Sequence, residues 1–241
     1  MARQISRRDF MQIVMIGTAT TSLSACMPRG LKDLTSNQVA LAPIPQQQSN
    51  APQPSEQALA PFASMYGSQV DGAFTLPAIP YQKIDPQFLR QIVDDPTGEQ
   101  PGTIVVDTNR RFLYLVRQNG KAIRYGVSVG KSGFAWSGRG IIQYKKTWPT
   151  WTPPAEMILR QPQLKKFSAE NGGMPPGLKN PLGARALYIF QNGKDTLYRL
   201  HGSPEWNSIG KRASSGCIRL INQDIIDLYD RVPEKAPILV V

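Results

Sequence analysis

The chain has 241 residues and 41% hydrophobic content, enough for one ordinary domain plus extensions or for two small ones. Its formal charge of +11 suits an anionic envelope polymer or lipid surface, with a generic solvated surface as the alternative. No aromatic-basic nucleic-acid module accompanies that charge. There is no run of about 20 apolar residues to span a membrane, and one histidine with two cysteines cannot supply a usual zinc set, so neither metal nor cofactor is expected.

Residues 1–26 read as an export signal and are set aside from fold reasoning. Ser6-Arg7-Arg8-Asp9-Phe10-Met11 follows the twin-arginine pattern, and the stretch after it is only mildly apolar, diluted by Gln12, Gly17 and several Thr and Ser residues. Leu23-Ser24-Ala25-Cys26 has the form of a lipobox, which would make Cys26 a lipidated anchor; plain cleavage near Ala25 is the alternative. Lipidation consumes the Cys26 thiol and leaves Cys217 as the reactive one, whereas a disulfide between them would silence the second. Met27 provides no acidic retention signal, which favours an outer-membrane anchor facing a periplasm.

Residues 27–80, rich in Pro, Gln, Ala and Ser, have few large apolar side chains to offset the entropy of ordering and are expected to form a semi-extended tether. Within 81–101, Phe88, Leu89, Ile92 and Val93 recur at roughly helical spacing after Asp85-Pro86, which predicts a short amphipathic helix. From Gly102 the pattern becomes β. Runs at Thr103–Asp107, Phe112–Val116, Ala122–Val129, Ile141–Tyr144, Ala184–Phe190 and Thr196–Leu200 are punctuated by Asn109-Arg110, Asn119-Gly120 and Asn192-Gly193 turns. The expected fold is mainly β, an antiparallel β-sandwich or mixed-β domain with a few short helices. A helix is expected from Asn222, with that residue as its cap and Ile225, Ile226, Leu228, Tyr229 and Val232 as its apolar face, before a final strand at Ile238–Val241.

Trp148 and Trp151, set among prolines, form either one wall of a substrate groove or a packed loop. Gly172–Gly177 lacks the Lys-Ser/Thr ending of a phosphate-binding loop and reads as an irregular loop near a cleft. His201 falls at the end of a predicted strand. Cys217 follows 16 residues later, after a loop that carries Trp206, and is flanked by Ser214-Ser215-Gly216 and Ile218-Arg219. A thiolate is the reactive form of cysteine and an imidazole is suited to generate it, so these two are candidate nucleophile and base.

His201-Gly202, Ser208-Ile209-Gly210 and Ser214-Ser215-Gly216-Cys217-Ile218-Arg219 resemble the signature of the L,D-transpeptidase catalytic domain, also called YkuD, over about Gly102 to Val241. The resemblance implies that Cys217 attacks the third residue of a peptidoglycan stem and expels D-alanine. The acyl group then passes to an amine of another stem, to an envelope protein or to water. It implies His201 as general base and acid, with the Gly202 carbonyl, or less readily that of Ser203, orienting its ring. Gly216 and Cys217 N–H groups are candidate oxyanion donors. Arg219 is a candidate for a substrate carboxylate or for bracing the loop. Ser215 stands where the family usually has a second histidine. That departure leaves open a catalytically silent peptidoglycan-binding lipoprotein, beside an L,D-carboxypeptidase that uses water.

Overall fold

A computed structural model describes residues 60–131 and 136–241. The export signal, Cys26 and most of the tether lie outside the described residues. In chain order the elements are α1 (Phe62–Met65), β1 (Gln69–Asp71), β2 (Phe74–Leu76), β3 (Gln91–Asp94), β4 (Ile104–Asp107), β5 (Phe112–Val116) and β6 (Lys121–Gly126). There follow β7 (Val129–Gly130), β8 (Gly138–Thr147), α2 (Ala155–Arg160), β9 (Arg185–Gln191), β10 (Lys194–Ser203), β11 (Arg212–Ser214), β12 (Ile218–Ile221), α3 (Asn222–Arg231) and β13 (Pro237–Val240).

Nine strands form one mixed sheet in the order β12-β10-β9-β8-β13-β4-β5-β6-β3, in which β10–β12 and β13–β4 are parallel pairs. The fold is thus the mixed-β form of the expectation. Asn119 and Gly120 have φ of 59° and 65°, and Asn192 and Gly193 have 50° and 76°. Both residues of each pair are left-handed, as tight hairpin turns with the right-handed strand twist require. Alternate residues of the strands fill the main core: Ile142, Leu187, Ile189, Leu200, Ile218 and Leu220 meet Ile225 and Leu228 of α3 and Val232 just after it. The final run pairs as β13, as its β-branched composition implied.

Three expectations need correction. Part of the expected tether carries regular structure: α1, β1 and β2 lie within residues 62–76, because Met65 and Tyr66 enter a second core with Phe88, Phe112 and Tyr114, and Leu76 is buried. The predicted helix in 81–101 is two 3-10 turns, Tyr81–Lys83 and Pro86–Phe88, followed by β3. Asp85 caps a single turn through the Gln87 N–H. Ile92 and Val93 then alternate between exposed and half-buried while pairing with Ile123 and Ala122, so the helical spacing was coincidental. Finally, α3 starts at Asn222, but that side chain does not cap it. Its Oδ1 accepts the Ala184 N–H at 2.9 Å, in a space that a Cβ at Gly183 or Gly202 would fill.

The lead-in segment is fastened to α3 by polar groups. Tyr66 OH donates to Asp224 at 3.2 Å and accepts the Arg90 N–H at 2.7 Å. The Arg90 guanidinium reaches Asp227 at 2.6 Å, and Tyr125 OH donates to the same carboxylate. Asp224 is fully buried and its Oδ1 has no hydrogen-bond partner. Burial therefore lifts its carboxyl to about 7, against the pull of Arg90. A second fastening joins the β1–β2 hairpin to the sheet: Asp71 receives both terminal nitrogens of Arg185 at 2.7 Å and the Trp148 indole N–H at 2.8 Å.

Candidate active site

The parallel register of β10 and β12 sets Leu200 opposite Ile218 and His201 opposite Arg219. Stepping back one residue sets Arg199 beside Cys217. Side chains alternate along a strand, and directly paired residues share a face. Leu200, Ile218 and Leu220 occupy the core face, which leaves Arg199, His201, Cys217 and Arg219 as a two-by-two group on the other. With strands about 4.8 Å apart and alternate residues about 6.6 Å apart, His201 and Cys217 stand on a diagonal of about 8 Å at the backbone.

The His201 ring is buried, and its Nδ1 lies 2.6 Å from the Gly202 carbonyl oxygen. A carbonyl only accepts, so Nδ1 carries the proton and Nε2 is the basic nitrogen. Burial holds the imidazole down to about 4, helped by the charges of Arg219 and Arg199 and opposed by the Gly202 and Pro181 carbonyls. Burial pushes the Cys217 thiol up, opposed by the Arg199 N–H and by the Arg199 and Arg219 charges. The resting pair is consequently thiol and neutral imidazole.

Gly216 has φ of 138°, a conformation open to glycine, and its N–H donates to Ser214 Oγ at 3.1 Å. Ser214 Oγ in turn donates to the Cys217 carbonyl. This brace shapes the turn into the nucleophile and occupies the Gly216 N–H, one of two oxyanion donors expected from sequence; of that pair, the Cys217 N–H is left for the role.

Residues 101–240, more than half of the chain, match the L,D-transpeptidase catalytic domain, YkuD. The chain belongs to that family. It is 31% identical over 144 residues to the Probable L,D-transpeptidase YbiS of Escherichia coli, covering 57% of this chain and 44% of that protein. Over 192 residues it is 30% identical to the Probable L,D-transpeptidase ErfK/SrfK of Salmonella typhimurium, covering 76% of this chain and 59% of that protein. The chain thus spans about half the length of the curated relatives it matches. A solved structure from Brucella melitensis, reported as a Probable carnitine operon oxidoreductase caia, is 48% identical. It covers 64% of this chain and 94% of that one with a TM-score of 0.45.

On this L,D-transpeptidase domain the other sequence candidates are dispersed. Arg219 gives one terminal nitrogen to Glu205 at 2.8 Å, and its backbone exchanges both hydrogen bonds with Ser128, so it braces the loop. Ser215 is exposed. Trp148 turns toward the β1–β2 hairpin, with its ring 4.1 Å from that of Phe74 and a left-handed φ of 42°. Trp206 packs against the second core. Trp151 pairs through its backbone with Met174, which lines an apolar groove of about 550 Å³ together with Phe74, Phe167, Pro175, Pro176 and Leu178.

Sequence reasoning missed Arg199 and the residues that fix it. Its guanidinium is held by both oxygens of Asp195 at 2.7 and 2.8 Å and lies 4.3 Å from the Tyr188 ring centroid. The signal was present: Arg199 precedes His201 by two residues on one strand and so must share its face.

Proposed function

We propose that the protein is a peptidoglycan L,D-transpeptidase that works through a Cys217 thioester. The observation that carries this reading is that Cys217 and His201 share one sheet face, with the His201 Nδ1 tied to Gly202 so that Nε2 is the basic nitrogen. As Cys217 attacks the carbonyl of the third stem residue, its proton moves to Nε2 and a C–S bond forms. The tetrahedral adduct then expels D-alanine, whose nitrogen takes that proton as the C–N bond breaks. In the second half an amine of another stem attacks the thioester, passes its proton through His201, and the thiol departs protonated. Thiol and imidazole rest neutral, so proton transfer is coupled to attack and does not precede it. The Gly202 and Pro181 carbonyls favour the charged ring that forms at that moment.

The export reading belongs to the same proposal. The twin-arginine pattern and the lipobox at Cys26 support a periplasmic enzyme tethered to a lipid surface, where stem peptides and envelope-protein amines are available. Incubation with tetrapeptide disaccharides, followed by intact mass and muropeptide analysis, tests the chemistry. The expected products are free D-alanine, an acyl-enzyme on Cys217 and a cross-linked dimer. Tripeptide monomer without dimer would make the enzyme a hydrolase or point to a protein acceptor. Absence of any acyl-enzyme would leave a peptidoglycan-binding lipoprotein.

A further inference from the structure

The sheet face that carries the catalytic pair continues across β9 onto β8. His201 is opposite Ala186, and Ala186 is opposite Lys146; in the adjacent row Arg199 is opposite Tyr188, and Tyr188 is opposite Tyr144. Lys146 therefore shares the His201 face and stands two strand spacings away, about 9.6 Å at the backbone. Ala186 lies between them and is buried.

The cations around this row are used differently. Arg199 is paired with Asp195 and Arg219 with Glu205. Lys145, the sequence neighbour of Lys146, points to the opposite face and donates to the Tyr229 and Val232 carbonyls at 2.8 and 2.6 Å. Lys146 is exposed, and among the described residues no carboxylate pairs with it. Its ammonium lies 5.9 Å from the Tyr144 ring centroid and 5.6 Å from that of Tyr188. Those rings stack on each other with centroids 4.3 Å apart. Their negative faces steady the ammonium without neutralising it.

We propose that Lys146 is a specificity-determining residue that binds a free carboxylate on the second or third residue of the donor stem, while the scissile carbonyl of that stem lies over Cys217. This rests on the transpeptidase reading above. Lys146 stands three strand spacings across and two residues along from Cys217, about 16 Å at the backbone, too far for the terminal carboxylate of the stem, which lies only one residue, about 3.5 Å, from the reacting carbonyl. A carboxylate borne on the second residue, or on the far end of the third residue's side chain, matches the longer separation.

The test uses the exported, full-length enzyme and three tetrapeptide stems: one with both carboxylates free, one amidated at the second residue and one amidated at the third. For the free stem, Lys146→Ala is expected to raise KM about fivefold with kcat unchanged, the effect of one partly exposed ion pair. Lys146→Arg should retain most of the affinity. One of the amidated stems should show the higher KM already with the wild type and be insensitive to Lys146→Ala, which identifies the carboxylate. Equal alkylation of Cys217 by iodoacetamide in all variants would show that fold and thiol are intact. If Lys146→Ala leaves KM unchanged for every stem, or raises it equally for all three, the assignment is wrong while D-alanine release by the wild type keeps the enzyme reading. If the wild type releases no D-alanine, both fall.

Discussion

The lead-in from Ala60 to Arg90 reaches the domain mainly through side chains, whereas the strands from Arg199 to Arg219 meet through backbone register. Tyr66 and Arg90 form one clamp on Asp224 and Asp227, and Asp71 forms a second on Arg185. His201 and Cys217 need no direct side-chain bond to be brought together, since the β10–β12 ladder already sets their strands. The first arrangement concentrates stability in a few buried polar contacts, and the second fixes chemistry by geometry. The lead-in also precedes the 101–240 family match. Substitutions in the two regions should separate: catalytic ones alter rate with the melting transition preserved, and lead-in ones alter stability with the intrinsic chemistry preserved.

The largest effect belongs to the catalytic face. Cys217→Ala is expected to abolish the acyl-enzyme in intact mass spectra, and His201→Ala to slow its formation by about 10³-fold. Next comes Arg90→Ala, which leaves the buried Asp224 carboxyl without its cation and Asp227 with Arg231 alone. It should lower unfolding free energy by about 3 kcal/mol in urea titration and leave the acylation rate of the folded fraction unaltered. Asp71→Ala should cost about 2 kcal/mol, because Arg185 keeps the Ala184 carbonyl and the Tyr229 ring but loses its charged partner.

Acidity offers a finer separation. His201 is depressed to about 4 in the fold, so the stability it lends is present above its unfolded value near 6.5 and is lost as pH falls toward 4. Asp224 is raised to about 7, so the stability it lends is present below about 4 and is lost as pH rises toward 7. Between pH 4 and 6.5 the two oppose each other. Asp224→Asn should therefore make stability climb more steeply with pH in that window, and His201→Gln should make it fall, both read by chemical denaturation at several pH values. The smallest effect is expected from Ser215→His, since that side chain is exposed and the ring tied to Gly202 is that of His201: acylation rate should change less than about twofold.

The strands, the Asn-Gly turns and the pair His201/Cys217 were legible because each rests on a local rule: β-branched runs, left-handed turn residues, and a motif flanked by small residues. The lead-in was not. Its helix-like spacing at Phe88, Leu89, Ile92 and Val93 arises from two short turns followed by an edge strand, and only the distant partner β6 decides between them. Asn222 shows the same limit. As a lone residue it suits a cap, but two glycines, Gly183 and Gly202, open a pocket that draws its side chain to the Ala184 N–H. The tryptophans were misleading for a related reason: the Asp71 carboxylate that claims Trp148 lies 77 positions earlier in the chain.

The ladder between β10 and β12 also frees the exposed points of the loop from Pro204 to Gly216, whose Trp206 and Ile209 enter the second core and whose β11 pairs with β7. Strand pairing locks imidazole and thiol into register, so the length of chain that joins them is free to vary where it is exposed, at Asn207 or Lys211. Doubling such a loop costs only about 0.6 kcal/mol of closure entropy. New recognition segments grafted there would change what approaches Cys217 without moving its strand from that of His201, so the surroundings of the candidate site can be rewritten while its geometry stays put.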